Sequence, residues 1–276
     1  MTDRYAVVGN PVAHSKSPQI HSAFARALGH DMEYSRLLAP LDGFAACVNA
    51  FRKEGGKGVN VTVPFKLEAY RFATTHTTRA RLAQACNCLR FDGAEVLGDN
   101  TDGNGIVTDI QSNLGIALQG RRVLVMGAGG AVQGVLGPIL DSAPAQLVVA
   151  NRTVDKARRL VDAFLAQPAY AGRALAACGY GDLLNTRFAV VINGTSASLN
   201  DALPDLPAGV FSPDALAYDM MYGKGDTPFM RLAREQGAAR LADGLGMLVE
   251  QAAESFLIWR GVRPPTAAVN ELLRAT

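Results

Sequence analysis

Arg121-Arg122-Val123-Leu124-Val125-Met126-Gly127-Ala128-Gly129-Gly130-Ala131 is the stretch on which the fold turns. Residues 121–126 form a short run rich in apolar, β-branched side chains, the glycines follow at once, and Val132, Val135, Leu136, Ile139 and Leu140 then recur at helical spacing. The pattern predicts a strand, a tight glycine turn and a helix. Such a turn lets backbone approach a pyrophosphate, and the free N–H groups of the helix start, reinforced by its dipole, hold negative charge. A second apolar run, Leu147-Val148-Val149-Ala150, ends at Asn151-Arg152-Thr153, where a dinucleotide-binding unit meets the adenosine ribose. Units specific for NAD carry Asp or Glu there for the 2′-hydroxyl, whereas Arg152 suits a 2′-phosphate and favours NADP. The third glycine of G-x-G-x-x-G would fall at Val132, with the next glycine only at Gly134. Close strand-to-helix packing also demands glycine, so the turn alone leaves both explanations open.

Around this stretch the composition is that of an ordinary globular protein. The chain has 276 residues, room for one large or two modest domains, with 49% hydrophobic and 19% charged residues. A net charge of +2 with both signs interspersed gives no ground to expect nucleic acid or an anionic membrane as partner. No N-terminal segment has the flanks of a signal peptide and no run approaches about 18 apolar residues, so the expected compartment is the cytoplasm. Cysteines 47, 86, 88 and 178 make no disulfide framework. Cys86-x-Cys88 lacks a second pair at matching spacing, so no metal site is expected and the four read as buried thiols.

Taken in order, Tyr5-Ala6-Val7-Val8-Gly9 predicts a strand ended by Asn10-Pro11. His14-Ser15-Lys16-Ser17-Pro18 leads into a helix with Ile20, Ala23, Phe24, Ala27 and Leu28 inward; Ser17 has the chemistry of an N-cap and Pro18 of the first helical position. Serine hydroxyls at a helix start also suit a carboxylate. A second helix is expected over 42–54, and then Gly58-Val59-Asn60-Val61-Thr62-Val63-Pro64-Phe65-Lys66. Alternation there sends Val59, Val61 and Val63 to one face and Asn60 and Thr62 to the other, with Lys66 in the first turn of a following helix. The dipole disfavours an ammonium at that end, so Lys66 is either solvated or placed for chemistry. Asp92-Gly93 joins a hairpin that begins at Asn87. Gly98-Asp99-Asn100-Thr101-Asp102-Gly103 reads as a crossing between domains, with Asp102 at the mouth of a cleft or acting only as a turn and capping residue. Further on, Phe188–Ile192 is continuous enough for a strand buried on both faces, opening into Asn193-Gly194-Thr195. A strand with a loop over 216–223 and a short strand over 240–243 follow, and a long helix carries Leu248, Val249, Ala252, Phe256 and Trp259 inward with Gln251 offset.

Together these runs resemble the shikimate dehydrogenase family over nearly the whole chain. The matching segments are Gly9-Asn10-Pro11 with His14 to Pro18, Asn60 to Lys66, Gly98 to Gly103, Gly127 to Ala131, Asn151-Arg152-Thr153, and Asp243 to Val249 with Gln251. The resemblance implies a two-domain α/β protein. Residues 1–102 and 246–276 would form an α/β substrate-binding domain, and 103–245 a Rossmann-type NADP domain with a doubly wound parallel sheet. It implies reversible reduction of 3-dehydroshikimate to shikimate with NADP, on the route to aromatic amino acids, by a monomer or homodimer. Carried over by residue, Lys66 and Asp102 look like the catalytic acid-base pair. Ser15, Ser17 and Tyr222 look like the carboxylate site, and Asn60, Thr62, Asn87 and Gln251 like partners of the ring hydroxyls. Gly127, Ala128, Gly129, Gly130, Ala131, Asn151, Arg152, Thr153, Lys156, Thr195, Met220 and Gly244 look like the cofactor site. The chain departs from the family at Gln84-Ala85-Cys86-Asn87-Cys88, where Gly-Ala-Val-Asn-Thr is common, at Thr78, often acidic, and at Gly194, usually alanine. Alternatives are a relative that also oxidises quinate or uses NAD, and a non-catalytic NADP- or metabolite-binding regulator on the same fold.

Overall fold

The computed structural model describes residues 2–195 and 206–275. The chain divides into two compact units, Met1–Gly105 with Leu248–Thr276, and Ile106–Met247.

The first unit is built on β1 (Asp3–Gly9), α1 (Ser17–Leu28), β2 (Met32–Leu38), α2 (Phe44–Lys53), β3 (Gly56–Val61), α3 (Lys66–Phe72), β4 (Thr75–His76), α4 (Thr78–Ala83) and the hairpin β5 (Cys88–Asp92) and β6 (Glu95–Asp99). The chain leaves it through α5 (Asp102–Thr108). Its six-stranded sheet has the order β2-β1-β3-β5-β6-β4. β1 runs parallel to β2 and β3, while β3, β5 and β6 are successively antiparallel. Alternation along β1 serves two cores: Ala6 and Val8 pack with Phe44, Val48, Val59, Val61 and Phe65, and Tyr5 and Val7 with Val12, Tyr34 and Trp259.

Two local expectations for this unit are corrected. Ser17 does not cap α1: Lys16 holds that position without a side-chain bond, and the Ser17 N–H instead donates to Ser15 Oγ at 3.3 Å. Val63 does not continue the inward face of β3, because the ladder ends at Val61 and a turn closed by Phe65 N–H on the Thr62 carbonyl (3.0 Å) carries Val63 out to 62% exposure.

The second unit is the doubly wound parallel sheet that the family resemblance implies, with the glycine turn between its first strand and helix. After a π-helical turn at Asp109–Asn113 come β7 (Arg122–Met126), α6 (Gly130–Asp141), β8 (Gln146–Ala150), α7 (Val154–Leu165), β9 (Leu175–Cys178), β10 (Phe188–Asn193), β11 (Phe211–Asp219), α8 (Pro228–Glu235) and β12 (Arg240–Ala242). Every pairing is parallel, in the order β12-β11-β10-β7-β8-β9. Counted from β7, that is the 3-2-1-4-5-6 order of dinucleotide-binding sheets, read from the far edge, with its switch point between β7 and β10. Val123 to Met126 and Val190 to Ile192 have no exposed surface, as central parallel strands require. The chain returns to the first unit along α9 (Leu245–Arg260), whose Val249, Ala252 and Phe256 are fully buried, and ends in α10 (Ala267–Arg274).

Candidate active site

In the first unit, the ends of β1 and β3, the start of β5, the start of α5 and one face of α9 bring polar side chains together. Lys66, the first residue of α3, places Nζ 2.6 Å from Asp102 Oδ2. The other carboxylate oxygen accepts from Asn87 Nδ2 at 2.7 Å. Both lobes of Asp102 are therefore engaged, and its own N–H is held by Asn100 Oδ1 at 3.2 Å. Asp102 is 8% exposed, while the Lys66 side chain keeps 31% of its surface open. A charge-assisted bond of this length fixes the ammonium without sealing it from a ligand.

Asn87 is oriented in turn. Its Oδ1 accepts from the Thr101 N–H at 2.8 Å, which fixes the amide so that the NH2 group faces Asp102. Gln251 joins through Oε1, which accepts from Asn87 at 3.3 Å, while its Nε2 donates to the Leu248 carbonyl. Behind this group Asn60 is 5% exposed and spends its amide inside the protein. Tyr34 OH (2.8 Å) and His21 Nε2 (3.0 Å) donate to its Oδ1, and its Nδ2 donates to Ser255 Oγ (2.8 Å) and the Asn87 carbonyl (3.2 Å). His21 is fully buried and stacked on Tyr34, with ring centroids 4.4 Å apart. Burial holds its pKa down to about 3, so it is neutral and donates from Nε2. Thr62 is half-buried just past β3, and Ser15 and Ser17 form a separate pair, Oγ to Oγ 3.2 Å, at the start of α1. Tyr222 belongs to the second unit, 37% exposed in the loop after β11.

Asp99 anchors the hairpin end on which Asn87, Asn100 and Thr101 depend. It is 3% exposed and takes Arg79 through both oxygens, at 2.7 and 2.8 Å, with Thr77 Oγ1 at 2.6 Å. Cys86 and Cys88 flank Asn87 with no exposed surface, and burial pushes the Cys86 thiol up to about 12. They are inert packing groups.

In the second unit the glycine turn sits at the carboxyl end of β7. Gly127 has φ +105°, a conformation side chains rarely adopt, and donates its N–H to the Ala150 carbonyl at 2.8 Å. Gly129 and Gly130 are exposed, with nothing within 4 Å of where a Cβ would stand, and α6 begins at Gly130 with no side-chain cap. Open backbone at an uncapped helix start fits a pyrophosphate. The valine at position 132 is accommodated by its neighbour: a Cβ at Gly194 would lie 2.5 Å from Val132 Cγ2, so the two departures compensate each other. Ala128 and Ala131 border the turn, half-buried and exposed.

At the end of β8, Asn151 Nδ2 donates to the Thr153 carbonyl at 2.8 Å and folds the turn back. Arg152, Thr153 and Lys156 are exposed beside it, and among the described residues neither Arg152 nor Lys156 forms an ion pair. Two free cations where a ribose would end suit a 2′-phosphate. Thr195 is held by Asn193 Oδ1, which accepts from its N–H (3.1 Å) and hydroxyl (2.7 Å). Asn193 in turn donates to Asp219 at 3.1 Å, and Asp219 takes the Met221 N–H and the Thr227 hydroxyl, which shapes the loop carrying Met220. The Gly244 N–H donates to the Met221 carbonyl at 3.0 Å.

Sequence reading missed Thr101 as a determinant of Asn87, Ser255 and Tyr34 behind Asn60, and the Asn193–Asp219 pair. Only the last left a trace, a polar residue closing each of two apolar strands. Among the described residues no group of His, Cys, Asp and Glu could hold a metal, and no helix is long and apolar enough to cross a membrane.

Three family models match: shikimate dehydrogenase substrate binding domain over residues 7–89, shikimate / quinate 5-dehydrogenase over 109–198, and shikimate 5′-dehydrogenase C-terminal domain over 244–274. A shikimate dehydrogenase (NADP(+)) of Nitrosospira multiformis is 58% identical over 276 residues, covering 100% of this chain and 98% of the relative. Among solved structures, an Ael1 enzyme from Pseudomonas putida is 51% identical with a TM-score of 0.92, covering 99% of this chain and 98% of that one. Shikimate 5-dehydrogenase from Thermus thermophilus, in complex with NADP(H) and shikimate, is 29% identical with a TM-score of 0.86, covering 99% of each chain.

Proposed function

This chain belongs to the shikimate dehydrogenase family, and we propose that it is an NADP-dependent shikimate dehydrogenase whose proton chemistry is carried by Lys66 and Asp102. The observation that carries this reading is the half-open Lys66 ammonium held 2.6 Å from a carboxylate whose other oxygen is fixed by Asn87. A binding protein has no need of a proton donor positioned in this way.

When bound, NADPH supplies the hydride that converts the ketone of 3-dehydroshikimate to an alcohol. Lys66 offers its N–H to the oxygen on which negative charge develops and then gives up a proton to it. Asp102 keeps that amine aimed through their charge-assisted bond. In the oxidative direction Lys66 in its neutral form takes the hydroxyl proton. Ser15 and Ser17 would hold the substrate carboxylate through hydroxyls already arranged as a pair. Thr62, Asn87 and Gln251 would take the ring hydroxyls, with Asn60 exchanging one of its internal bonds to join them. Unfilled, such groups penalise an analogue lacking a hydroxyl, which is how the site would discriminate. Gly127 to Ala131 would hold the pyrophosphate of NADP, Arg152 and Lys156 its 2′-phosphate with Asn151 and Thr153 closing the turn, and Thr195, Met220 and Gly244 the remaining wall. Each role is filled by one chain, so monomer and homodimer are both compatible with the reading, and its compartment would be the cytoplasm.

The test is NADPH formation from shikimate and NADP, with quinate and NAD in parallel. Turnover confined to shikimate with NADP supports the proposal. Comparable rates with quinate or NAD would assign the chain a broader specificity, and absence of turnover in protein that binds NADP would favour a regulator.

A further inference from the structure

The candidate site uses the edge of the first unit's sheet where β1 and β3 end. At the opposite edge, where those strands begin, lies a second concave place: a cavity of about 550 Å³ formed by β1, β3, the β5–β6 hairpin and the last turn of α9. Its floor follows from strand register. Tyr5 pairs with Gly58 and Gly58 with Arg90, so the three make one row across three strands and project to the same face. Glycine in the middle of that row leaves room for an indole: a Cβ at position 58 would stand 2.5 Å from Trp259 Nε1. Trp259 stacks on Tyr5 with centroids 4.7 Å apart and donates Nε1–H to the Leu89 carbonyl at 3.0 Å. The ring also packs near His21 and Tyr34, with centroids 5.2 and 6.3 Å away, and it is half-buried, its exposed part lining the cavity.

The charges around this floor are unequal in their commitments. Arg260 is paired with Asp3 and reaches Tyr5 OH, so its charge is balanced in place. Lys57 and Arg90 are different: among the described residues neither forms an ion pair, and Arg90 reaches only the Ile258 carbonyl, at 3.5 Å. Asp92, exposed on the same strand face as Arg90, likewise forms no ion pair among the described residues and disfavours a ligand with a second negative charge. Two uncommitted cations beside an aromatic surface, in a space of the size that small ligands fill, define a chemistry. A guanidinium takes a carboxylate through two parallel N–H bonds, and an indole face takes a planar ring.

We propose that this cavity is a second ligand site, separate from the Lys66–Asp102 site, that binds small aromatic monocarboxylates with the carboxylate on Arg90 and Lys57 and the ring against Trp259. The chain has a single tryptophan, so its fluorescence reports on this cavity directly. The experiment titrates benzoate into the purified full chain while following tryptophan emission. The expected result is a saturable change that benzamide does not produce, that saturating shikimate does not displace, and that Ser15→Ala leaves intact. Arg90→Ala should weaken it about tenfold or more, the loss of a charge-assisted pair, and Lys57→Ala severalfold, while both variants oxidise shikimate at the wild-type rate. No saturable change, equal affinity in both variants, or displacement by shikimate overturns the proposal.

Discussion

Replacing Asn87 by aspartate keeps the shape of the side chain and exchanges a donor for a charge, which makes it a sensitive probe of the site. Asn87 Nδ2 lies 2.7 Å from Asp102 Oδ1, and Lys66 holds the other oxygen at 2.6 Å. Two carboxylates so placed, with charge centres about 4 Å apart and an effective dielectric near ~20, repel by roughly 4 kcal/mol, or about 3 pK units. Lys66 offsets part of this, so the carboxyl introduced at position 87 should hold its proton up to about pH 6–7. While the proton is present, the new carboxyl donates to Asp102 as the amide did; once it leaves, Asp102 is pushed off Lys66. The sign for stability is the same: a carboxyl whose folded-state pKa lies above its unfolded value costs nothing below about pH 4 and costs progressively more up to about pH 7. The assay is the ratio of variant to wild-type kcat for shikimate oxidation across pH, with melting temperature recorded alongside. The ratio should fall as pH rises through about 6–7 and the melting difference should widen over the same interval. A ratio and a melting difference that are both flat with pH would refute the Asn87–Asp102 contact.

Two further outcomes are expected. Arg152→Ala should raise KM for NADP by roughly 10- to 100-fold, as loss of a phosphate-binding guanidinium does, with KM for shikimate unchanged; equal effects on both, measured by steady-state kinetics, would remove Arg152 from the 2′-phosphate. His21 is neutral in the folded chain, its pKa held at about 3, so it makes stability fall as pH drops from about 6.5 toward 3, by up to about 1.4 kcal/mol per pH unit. His21→Gln should flatten that acid limb in melting curves, and an unchanged slope would mean that His21 is not the group responsible.

The second unit was readable because its signals are local. Continuous apolar runs at Val123–Met126, Leu147–Ala150 and Phe188–Ile192, each ended by a polar or glycine turn, leave little but central parallel strands. β9 escaped because Leu175–Cys178 is half alanine and carries no β-branched residue, and β2 because only Tyr34 of its seven residues is buried at an edge. The site was less legible. Lys66 and Asp102 are separated by 36 positions, and nothing in spacing pairs them; family resemblance supplied the pair and the fold supplied its distance. An asparagine can serve a ligand or a neighbouring carboxylate, and only the Thr101 N–H on Oδ1 shows which way the amide of Asn87 turns. Ser255 looks like any small helical residue until Asn60 is found against it. At the glycine turn, Val132 alone looked like a defect, and became intelligible once Gly194 was seen to leave it space.

The central claim, that Lys66 conducts the proton chemistry beside Asp102, is tested most directly by kcat for shikimate oxidation in Lys66→Ala, set against the affinity of the same variant for shikimate and NADP. The account predicts a fall in kcat of roughly 10²- to 10⁴-fold, the usual worth of a positioned acid-base group, with both affinities within a few-fold of wild type. Turnover at the wild-type rate in that variant would contradict it.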